Sequence, residues 1–241
     1  MKILAIQGSP RPKGSNTEIL LQEFLKGARS AGAETETIYL REKKIQPCVG
    51  CFTCWVKTPG VCIFRDDMPS LLEKVRDCQI LVYAFPLYNY NMTAMTKAFQ
   101  ERLLPLVDPH FVKAGEAYRH PPRYAVDRKM VLISNCGFPE VSHFEALRQV
   151  FRHMERSGGV PLVGELLMPA GQLLQVEALK NQVQAVLHAA HRAGVEVARE
   201  GRVSPETEAE IRRPILPPEQ LAEMANKTWD SLLKALDQPA R

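Results

Sequence analysis

The feature that most constrains the fold of this chain is a regular alternation of short apolar runs with longer amphipathic segments. Residues 2–7 form an apolar run that ends at Gly8, and apolar side chains recur at helical spacing through residues 17–31. The alternation continues with predicted strands at 34–40, 79–85, 130–135 and 160–168, and predicted helices at 92–104, 140–157 and 173–199. Only a helix-length connection returns a strand parallel to its predecessor. The pattern therefore predicts an α/β fold with a doubly wound, five-stranded parallel sheet in the order 2-1-3-4-5.

This topology also predicts where a ligand binds. In a doubly wound sheet the crevice lies beyond the carboxyl ends of the strands, where the strand order reverses. The loops that follow the first, third and fourth predicted strands are 8–15, 86–92 and 135–140. We expect these loops to face one crevice.

The first of these loops has the composition of a phosphate site. Its sequence, GSPRPKGSNTE, follows a strand and opens a helix but matches neither GxGxxG nor GxxxxGK[ST]. Backbone amides at a helix N-terminus carry partial positive charge and attract a phosphate. Ser15 and Glu18 also have the spacing of a capping box, which leaves those amides available. The side chains that would complete the cradle are Ser9, Arg11, Ser15, Asn16 and Thr17.

The loop resembles that of the NADPH-dependent FMN reductase group of the flavodoxin-like superfamily, in which a GSxRxxSNT-type sequence holds the FMN phosphate. Residues 85–99 are similar to the SPxYxxxxxxxLKxxxDR segment of this group, although Asn89-Tyr90-Asn91-Met92 stands where many members have Gly and Ser. The resemblance implies a flavodoxin-like fold, FMN as cofactor, NAD(P)H as co-substrate, and the five side chains above as phosphate ligands. It further implies flavin contacts from Pro86, Leu87, Tyr88, Asn89, Asn91, Asn135, Cys136, Gly137 and Phe138.

Four cysteines are concentrated in the segment 47–63 with the spacing C-x2-C-x2-C-x7-C. This spacing begins like a bacterial ferredoxin motif, and it resembles the compact motif of iron-sulfur flavoproteins, which carry a 4Fe-4S cluster beside FMN. Metal-free thiols and a structural zinc site are the alternatives, because four sulfurs also suit tetrahedral zinc. The candidate ligands are Cys48, Cys51, Cys54 and Cys62.

Residues 1–200 are expected to form the FMN-binding domain, with the insertion 105–128 as a loop near the site. Residues 201–241 contain Pro205, Pro214, Pro217 and Pro218 before a last amphipathic stretch, 219–236. We expect this C-terminal extension to be a packing or oligomerisation arm, in a homodimer or homotetramer.

Charge and segment composition exclude several function classes. The formal net charge is only +4 and the basic residues are dispersed, so a nucleic-acid partner is not expected. Residues 1–7 lack the pattern of an export signal, no segment suits a membrane span, and a cytoplasmic protein is expected. FMN would take a hydride from NAD(P)H and deliver electrons to a quinone, a flavin, another small acceptor or a redox protein. The alternative is a non-enzymatic FMN and iron-sulfur module that serves protein partners.

Overall fold

The computed structural model describes residues 1–11, 13–125 and 127–236. The strands are β1 (Lys2–Gln7), β2 (Glu34–Tyr39), β3 (Ile80–Pro86), β4 (Val112–Ala114), β5 (Ala117–Arg119), β6 (Lys129–Asn135) and β7 (Leu162–Met168). A central parallel sheet has the strand order β2-β1-β3-β6-β7, which confirms the predicted order of five strands, and β4 and β5 form a separate antiparallel hairpin. The helices are α1 (Asn16–Ser30), α2 (Thr53–Val56), α3 (Met68–Asp77), α4 (Ala94–Glu101), α5 (Glu145–Gly158), α6 (Lys180–Glu200), α7 (Pro205–Arg212) and α8 (Pro218–Leu236).

Helices cover both faces of the sheet and create two apolar layers. The layer on one side is formed by α1 and α6, and the layer on the other side by α3, α4 and α5. Glycines allow α1 and α6 to pack with their backbones close together. A Cβ atom on Gly27 would lie 1.9 Å from the carbonyl oxygen of His191, and one on Gly194 would lie 1.9 Å from that of Phe24. Larger residues at these two positions would force the helices apart.

The strand register aligns the carboxyl ends of the central strands. Gln7 is paired with Ala84, Pro86 with Asn135, and Asn135 with Met168. The loops that follow β1, β3 and β6 therefore leave the same edge of the sheet, as the topology predicts.

Several helices begin later than the sequence pattern indicates. The predicted helix 92–104 is shorter in the structure, and 3-10 turns replace the first residues of the predicted helices 140–157 and 173–199. In the last case a 3-10 turn at Gly171–Gln175 packs against the end of β6, where a Cβ atom on Gly171 would lie 2.7 Å from Asn135 Oδ1. The apolar periodicity alone favours α-helical turns here. The contact between Gly171 and Asn135 accounts for the 3-10 conformation that the chain adopts instead.

Among the described residues, none of the insertion 105–128 lines the crevice at the carboxyl edge of the sheet. The insertion forms the β4–β5 hairpin and packs against the cysteine segment. The ring of Trp55 lies 4.7 Å from the ring of His120, and Trp55 Nε1 donates to the carbonyl oxygen of Leu104, immediately before the insertion, at 3.1 Å. The insertion thus contacts the cysteine segment.

The C-terminal extension consists of two different parts. Val203 and Ile211 pack into the main core, and Ser204 caps α7 by accepting a hydrogen bond from Thr207 N. Among the described residues of α8, Leu221 is buried, whereas the apolar side chains further along the helix are exposed. The exposed set is Met224, Trp229, Leu232, Leu233 and Leu236. Oligomerisation through this arm stays a prediction. Of the helices that the structure describes, none is long and apolar enough to cross a membrane.

Candidate functional site

A crevice of about 220 Å³ opens at the carboxyl edge of the sheet, where the three predicted loops meet. Pro12 of the first loop, Val126 of the insertion and residues 237–241 lie outside the described residues. Asn89, Asn91 and Phe138 were expected in the crevice but do not line it. The lining residues are Ser9, Arg11, Ser15, Asn16, Thr17, Pro86, Leu87, Tyr88, Asn135, Cys136, Gly137 and Gln172.

Ser9 stabilises the conformation of the first loop through hydrogen bonds to its neighbours Gln7 and Arg11. Its backbone N–H donates to Gln7 Oε1 at 2.7 Å, and its hydroxyl both donates to the Arg11 carbonyl oxygen at 3.1 Å and accepts from Arg11 N at 3.2 Å. Ser9 is buried, whereas Arg11 is exposed at the mouth of the crevice. The structure thus gives Ser9 a role in fixing the turn and leaves the Arg11 guanidinium accessible to an anion.

The N-terminus of α1 faces this loop. Ser15 is the N-cap, and its hydroxyl accepts from Glu18 N at 3.2 Å, as predicted. The Glu18 carboxylate bonds elsewhere, because it accepts from the Tyr39 hydroxyl at 2.8 Å and from Gln7 Nε2 at 3.3 Å. Burial, followed by the hydrogen bond to Glu18, raises the pKa of Tyr39 to about 12, so Tyr39 remains a neutral donor.

First-turn amides of α1 remain open to a ligand. Among the residues that the structure describes, the backbone N–H groups of Asn16 and Thr17 have no acceptor. These groups lie at the positive end of the helix dipole and line the crevice. Their arrangement suits a phosphate group.

Side-chain hydrogen bonds join the loops around the crevice. Asn135 Nδ2 donates to Thr17 Oγ1 at 2.7 Å, and Thr93 Oγ1 donates to the Gly8 carbonyl oxygen at 2.7 Å. Gly8 must be glycine here, since a Cβ atom would lie 1.9 Å from Thr96 Oγ1.

Residues after β7 complete the crevice, and sequence reasoning missed them. Gln172 Nε2 donates to the Gly137 carbonyl oxygen at 3.0 Å, and Gln175 Nε2 donates to Asn16 Oδ1 at 2.6 Å. Gln175 lies in the predicted helix 173–199 and Gln172 lies just before it. A lone glutamine carries no motif, so no local signal identifies either residue.

Asn89 and Asn91, which do not line the crevice, belong to a tight turn after β3. Tyr88 and Asn91 exchange two backbone hydrogen bonds of 3.0 Å, and the two residues between them, Asn89 and Tyr90, have φ of 48° and 63°. Two successive left-handed residues give a type I′ turn. The Asn91 carboxamide oxygen accepts from Met92 N at 2.8 Å. Asn91 thus makes a local hydrogen bond, and Asn89 supplies one of the two left-handed backbone conformations of the turn.

The aromatic side chains beside this turn form a stack on the rim. The ring of His143 lies 4.0 Å from that of Phe138 and 6.1 Å from that of Tyr90, and both pairs are stacked. Phe138 and Tyr90 are about half exposed, as is Tyr88. The predicted residue Phe138 is thus on the rim, together with two aromatic side chains that the sequence did not single out.

The four cysteines of the segment 47–63 gather around Cys54. Cys54 is buried, Cys51 is exposed, and Cys48 and Cys62 are partly buried. Burial and the nearby thiols of the other three cysteines raise the pKa of Cys54. Within the described part of the chain, no group of three or more His, Cys, Asp or Glu side chains is placed to hold a metal ion. The four predicted cysteine ligands therefore lie in one segment, but among the described residues they are not arranged to bind one metal ion together.

Arg102 holds both ends of this segment. Its guanidinium donates to the Gln46 carbonyl oxygen at 2.7 Å and to both carboxylate oxygens of Asp66, at 2.7 and 3.0 Å. The side chains of Arg102 and Asp66 are 1% and 3% exposed. Burial lowers the pKa of the Arg102 guanidinium, but the hydrogen bonds to Asp66 outweigh this effect and raise it, with a further contribution from the nearby Cys62.

The neighbouring residues Asp66 and Asp67 make different contacts. Asp66 does accept from Met68 N at 3.1 Å, which is a local cap of α3. It also forms the buried pair with Arg102, a long-range contact that no local pattern reveals. Asp67 Oδ2 accepts from Lys44 N at 2.7 Å and makes no cap.

The strand order and the crevice at the carboxyl edge define a flavodoxin-like protein. A family model described as NADPH-dependent FMN reductase matches residues 1–171, and the chain belongs to this family. Solved structures of similar fold include an FMN-dependent NADH-azoreductase from Bacillus anthracis, with a TM-score of 0.63 and 15% identity over 82% of this chain and 99% of that one. An NAD(P)H:quinone oxidoreductase from Methanothermobacter marburgensis has a TM-score of 0.60 and 15% identity over 82% and 96% of the two chains.

Curated relatives fall into two groups. An iron-sulfur flavoprotein of Methanocaldococcus jannaschii is 38% identical over 106 residues, which cover 44% of this chain and 53% of the relative. One from Archaeoglobus fulgidus is 41% identical over 105 residues, which cover 44% and 46%. The chain spans about half the length of these two relatives. A Bacillus subtilis protein named as an NAD(P)H-dependent FMN-containing oxidoreductase is 28% identical over 180 residues, which cover 74% of this chain and 93% of that protein.

Proposed function

We propose that this protein is an FMN-dependent oxidoreductase that takes a hydride from NAD(P)H and passes electrons to a small acceptor of the quinone or flavin class. The observation that carries the proposal is the meeting of three loops at the open N-terminus of α1. Membership of the NADPH-dependent FMN reductase family supports FMN and NAD(P)H as the cofactor and co-substrate. When bound, FMN would supply the hydride-accepting chemistry.

The residues of the crevice fit a flavin mononucleotide, with one group of residues for its phosphate and another for its flavin ring. The unpaired amides of Asn16 and Thr17 and the accessible guanidinium of Arg11 would hold the phosphate. Ser9 and Ser15 would act mainly by fixing the loop and the helix start, since their hydroxyls already make local hydrogen bonds.

The flavin ring would lie between the second and third loops. Pro86, Leu87 and Tyr88 form one wall of the crevice, and Asn135, Cys136 and Gly137 form the other. A Cβ atom on Gly137 would have only Gln172 Oε1 within 4.0 Å, so the backbone here is open to close approach. Backbone groups at this position would orient the polar edge of the ring.

The nicotinamide and the acceptor would both bind against the aromatic rim, which consists of Tyr88, Tyr90, Phe138 and His143. Tyr88, Tyr90 and Phe138 present half-exposed rings beside the crevice, and planar rings stack favourably on such surfaces. One open surface would serve both substrates in turn, which gives ping-pong kinetics.

The cysteine segment supports a second candidate function, electron relay to a protein partner through a 4Fe-4S cluster. Two observations favour it: the iron-sulfur flavoproteins among the relatives, and the exposure of apolar side chains on the segment. The four thiols suit a cluster by type, because each cysteine would then bind a different iron and need not converge on one ion. The exposed apolar side chains are Val49, Phe52, Val56, Val61 and Ile63.

One experiment separates the two candidates. Protein purified without oxygen is analysed for bound flavin and then mixed with NADPH or NADH and soluble benzoquinone. We expect FMN, not FAD, and catalytic consumption of a reduced nicotinamide. FMN without any turnover favours the relay, whereas the absence of flavin after incubation with FMN contradicts both candidates.

A further inference from the structure

A buried polar side chain lies at the carboxyl end of β1, beneath the phosphate loop. Gln7 is the last residue of the strand and is 0% exposed. It immediately precedes the loop that begins at Gly8, but it does not line the crevice. A buried carboxamide is costly unless its polar atoms are hydrogen-bonded, so its partners indicate what it does.

The two polar atoms of the Gln7 carboxamide contact two different segments. Gln7 Oε1 accepts from Ser9 N at 2.7 Å, and Gln7 Nε2 donates to Glu18 Oε2 at 3.3 Å. A backbone N–H can only donate and a carboxylate can only accept, so a single orientation of the carboxamide satisfies both partners. Gln7 therefore joins the phosphate loop to the first turn of α1.

The Glu18 carboxylate is held in place by two further donors. Its Oε1 atom accepts from the Tyr39 hydroxyl at 2.8 Å and from Gln22 Nε2 at 2.9 Å, which leaves Oε2 for Gln7. Gln7 and Tyr39 are paired in the register of β1 and β2, so their side chains lie on the same face of the sheet. The backbone N–H of Glu18 also donates to the N-cap hydroxyl of Ser15 at 3.2 Å. Glu18 thus presents a fixed acceptor to Gln7.

The loop atoms that Gln7 holds are connected to those that would contact a phosphate. Ser9 exchanges two hydrogen bonds with the backbone of Arg11, so the position of Ser9 sets the position of Arg11. The open amides of Asn16 and Thr17 are on α1, which is the element that Gln7 reaches through Glu18. A phosphate would need the guanidinium and these amides at the same time, and a displacement of about 1 Å is enough to weaken such a site.

We infer that Gln7 is a positioning residue for phosphate binding, which it controls without touching the ligand. Its carboxamide sets the distance between the phosphate loop and the N-terminus of α1, and Glu18 sets the orientation of that carboxamide. This inference rests on the proposed function, because it takes the phosphate of FMN as the ligand of the loop.

The first test compares FMN with riboflavin, which has the same ring but no phosphate. Gln7→Met keeps a side chain of similar length and removes both hydrogen bonds. The affinity for FMN should fall about tenfold and that for riboflavin should change less than about twofold, since only the phosphate loop is released. Quenching of flavin fluorescence by the full chain measures both affinities, and urea unfolding checks that the variant is folded.

Exchanging the two side chains tests the orientation directly. In the double variant Gln7→Glu, Glu18→Gln, the carboxylate at position 7 accepts from Ser9 N and from the carboxamide at position 18, whose oxygen still accepts from Tyr39. This variant should recover most of the FMN affinity that Gln7→Met loses. Gln22→Glu is the matched control, because Gln22 also donates to Glu18 but neither contacts the loop nor lines the crevice. It should leave the affinities for both flavins unchanged.

Each contrary outcome has a distinct meaning. If the unsubstituted protein binds no FMN, the proposed function and this inference are both wrong. If it binds FMN and Gln7→Met binds FMN equally well, only the inference is wrong. Equal losses of FMN and riboflavin affinity, or a double variant that is folded but recovers no FMN affinity, would show that Gln7 supports the fold and does not position the phosphate loop.

Discussion

The carboxamide of Asn135 donates a 2.7 Å hydrogen bond to the hydroxyl of Thr17, which joins the end of β6 to the first turn of α1. Both side chains are buried. Gly171 packs directly on Asn135, where a Cβ atom would lie 2.7 Å from Oδ1. The loop that would orient the flavin ring and the helix that would hold its phosphate are thus fixed to each other by one buried contact.

Replacing Asn135 should therefore affect binding as well as stability. In Asn135→Ala the bond to Thr17 is lost, which should lower the free energy of unfolding by about 1–2 kcal/mol and weaken FMN binding by about tenfold. Urea unfolding and quenching of FMN fluorescence measure the two effects. Thr17→Val removes the same bond from the other side, so the double variant should cost less than the sum of the single variants. Additive losses would show that the two side chains act independently.

Arg11 should contribute to binding of the phosphate without supporting the fold. Because its side chain is exposed at the mouth of the crevice, Arg11→Ala should weaken FMN binding by about 1.5–3 kcal/mol and leave the urea midpoint unchanged. Riboflavin, which lacks the phosphate, should bind the variant and the unsubstituted protein equally. Lys13→Ala is the matched control, since Lys13 is an exposed cation of the same loop but does not line the crevice. Equal losses for the two variants would indicate a general charge effect in place of a direct contact.

The fold could be predicted closely because its signals are local and periodic. Buried parallel strands appear as apolar runs, and the order 2-1-3-4-5 is that of a doubly wound, flavodoxin-like sheet; the structure confirms both. The misplaced helix starts have a tertiary cause. The residues 171–179 form 3-10 turns since Gly171 must approach Asn135, and this contact spans 36 positions between the two residue numbers. The β4–β5 hairpin has strands too short for alternation to reveal.

The site could be predicted only in part. Some of its residues belong to a continuous sequence motif, whereas others reach the crevice only through contacts between segments that are distant in sequence. The phosphate loop is a continuous motif, and its described candidate residues line the crevice. Asn89 and Asn91 do not line the crevice, and they belong to a type I′ turn with left-handed φ at Asn89 and Tyr90. Their contact with the flavin stays a prediction. Gln172 enters the crevice only because β7 ends beside β6, which is a property of the assembled sheet.

The buried pair of Arg102 and Asp66 should stabilise the cysteine segment. Arg102→Met leaves the Asp66 carboxylate buried without its cation, which should cost about 3 kcal/mol of unfolding free energy. The double variant Arg102→Met, Asp66→Leu removes both charges and should recover part of this loss. Chemical denaturation measures the stabilities, and limited proteolysis should cleave the single variant within residues 47–63. A single variant as stable as the unsubstituted protein would contradict this role.

The same pair predicts a pH dependence. Burial opposes ionisation of Asp66, but hydrogen bonds from Arg102, Gln46 N and Met68 N outweigh it and lower the pKa of the carboxyl below its ordinary 3.8. A carboxyl with a lowered pKa in the folded state stabilises the fold above its ordinary pKa, and this stabilisation is lost as the pH falls through the folded-state value. The stability difference between the unsubstituted protein and Asp66→Asn should thus be constant from pH 5 to 7, about one unit or more above the ordinary value, and shrink below about pH 4. A difference that does not change down to pH 3 would contradict the shift.

The last prediction concerns the metal content of the cysteine segment. Cys48, Cys51, Cys54 and Cys62 lie together, and if they bind a cluster, protein purified without oxygen should contain about four iron and four sulfide per chain. Zinc would give metal without sulfide. Cys51→Ser should lose the iron and keep FMN, because the exposed Cys51 lies outside the crevice. Cys78→Ser is the matched control, since the buried Cys78 donates its thiol hydrogen to the Val75 carbonyl oxygen at 3.3 Å, a bond that a serine hydroxyl can replace. It should keep both iron and FMN. Only trace iron after anaerobic reconstitution, with all four thiols titratable, would exclude the relay and leave a reductase that uses flavin alone.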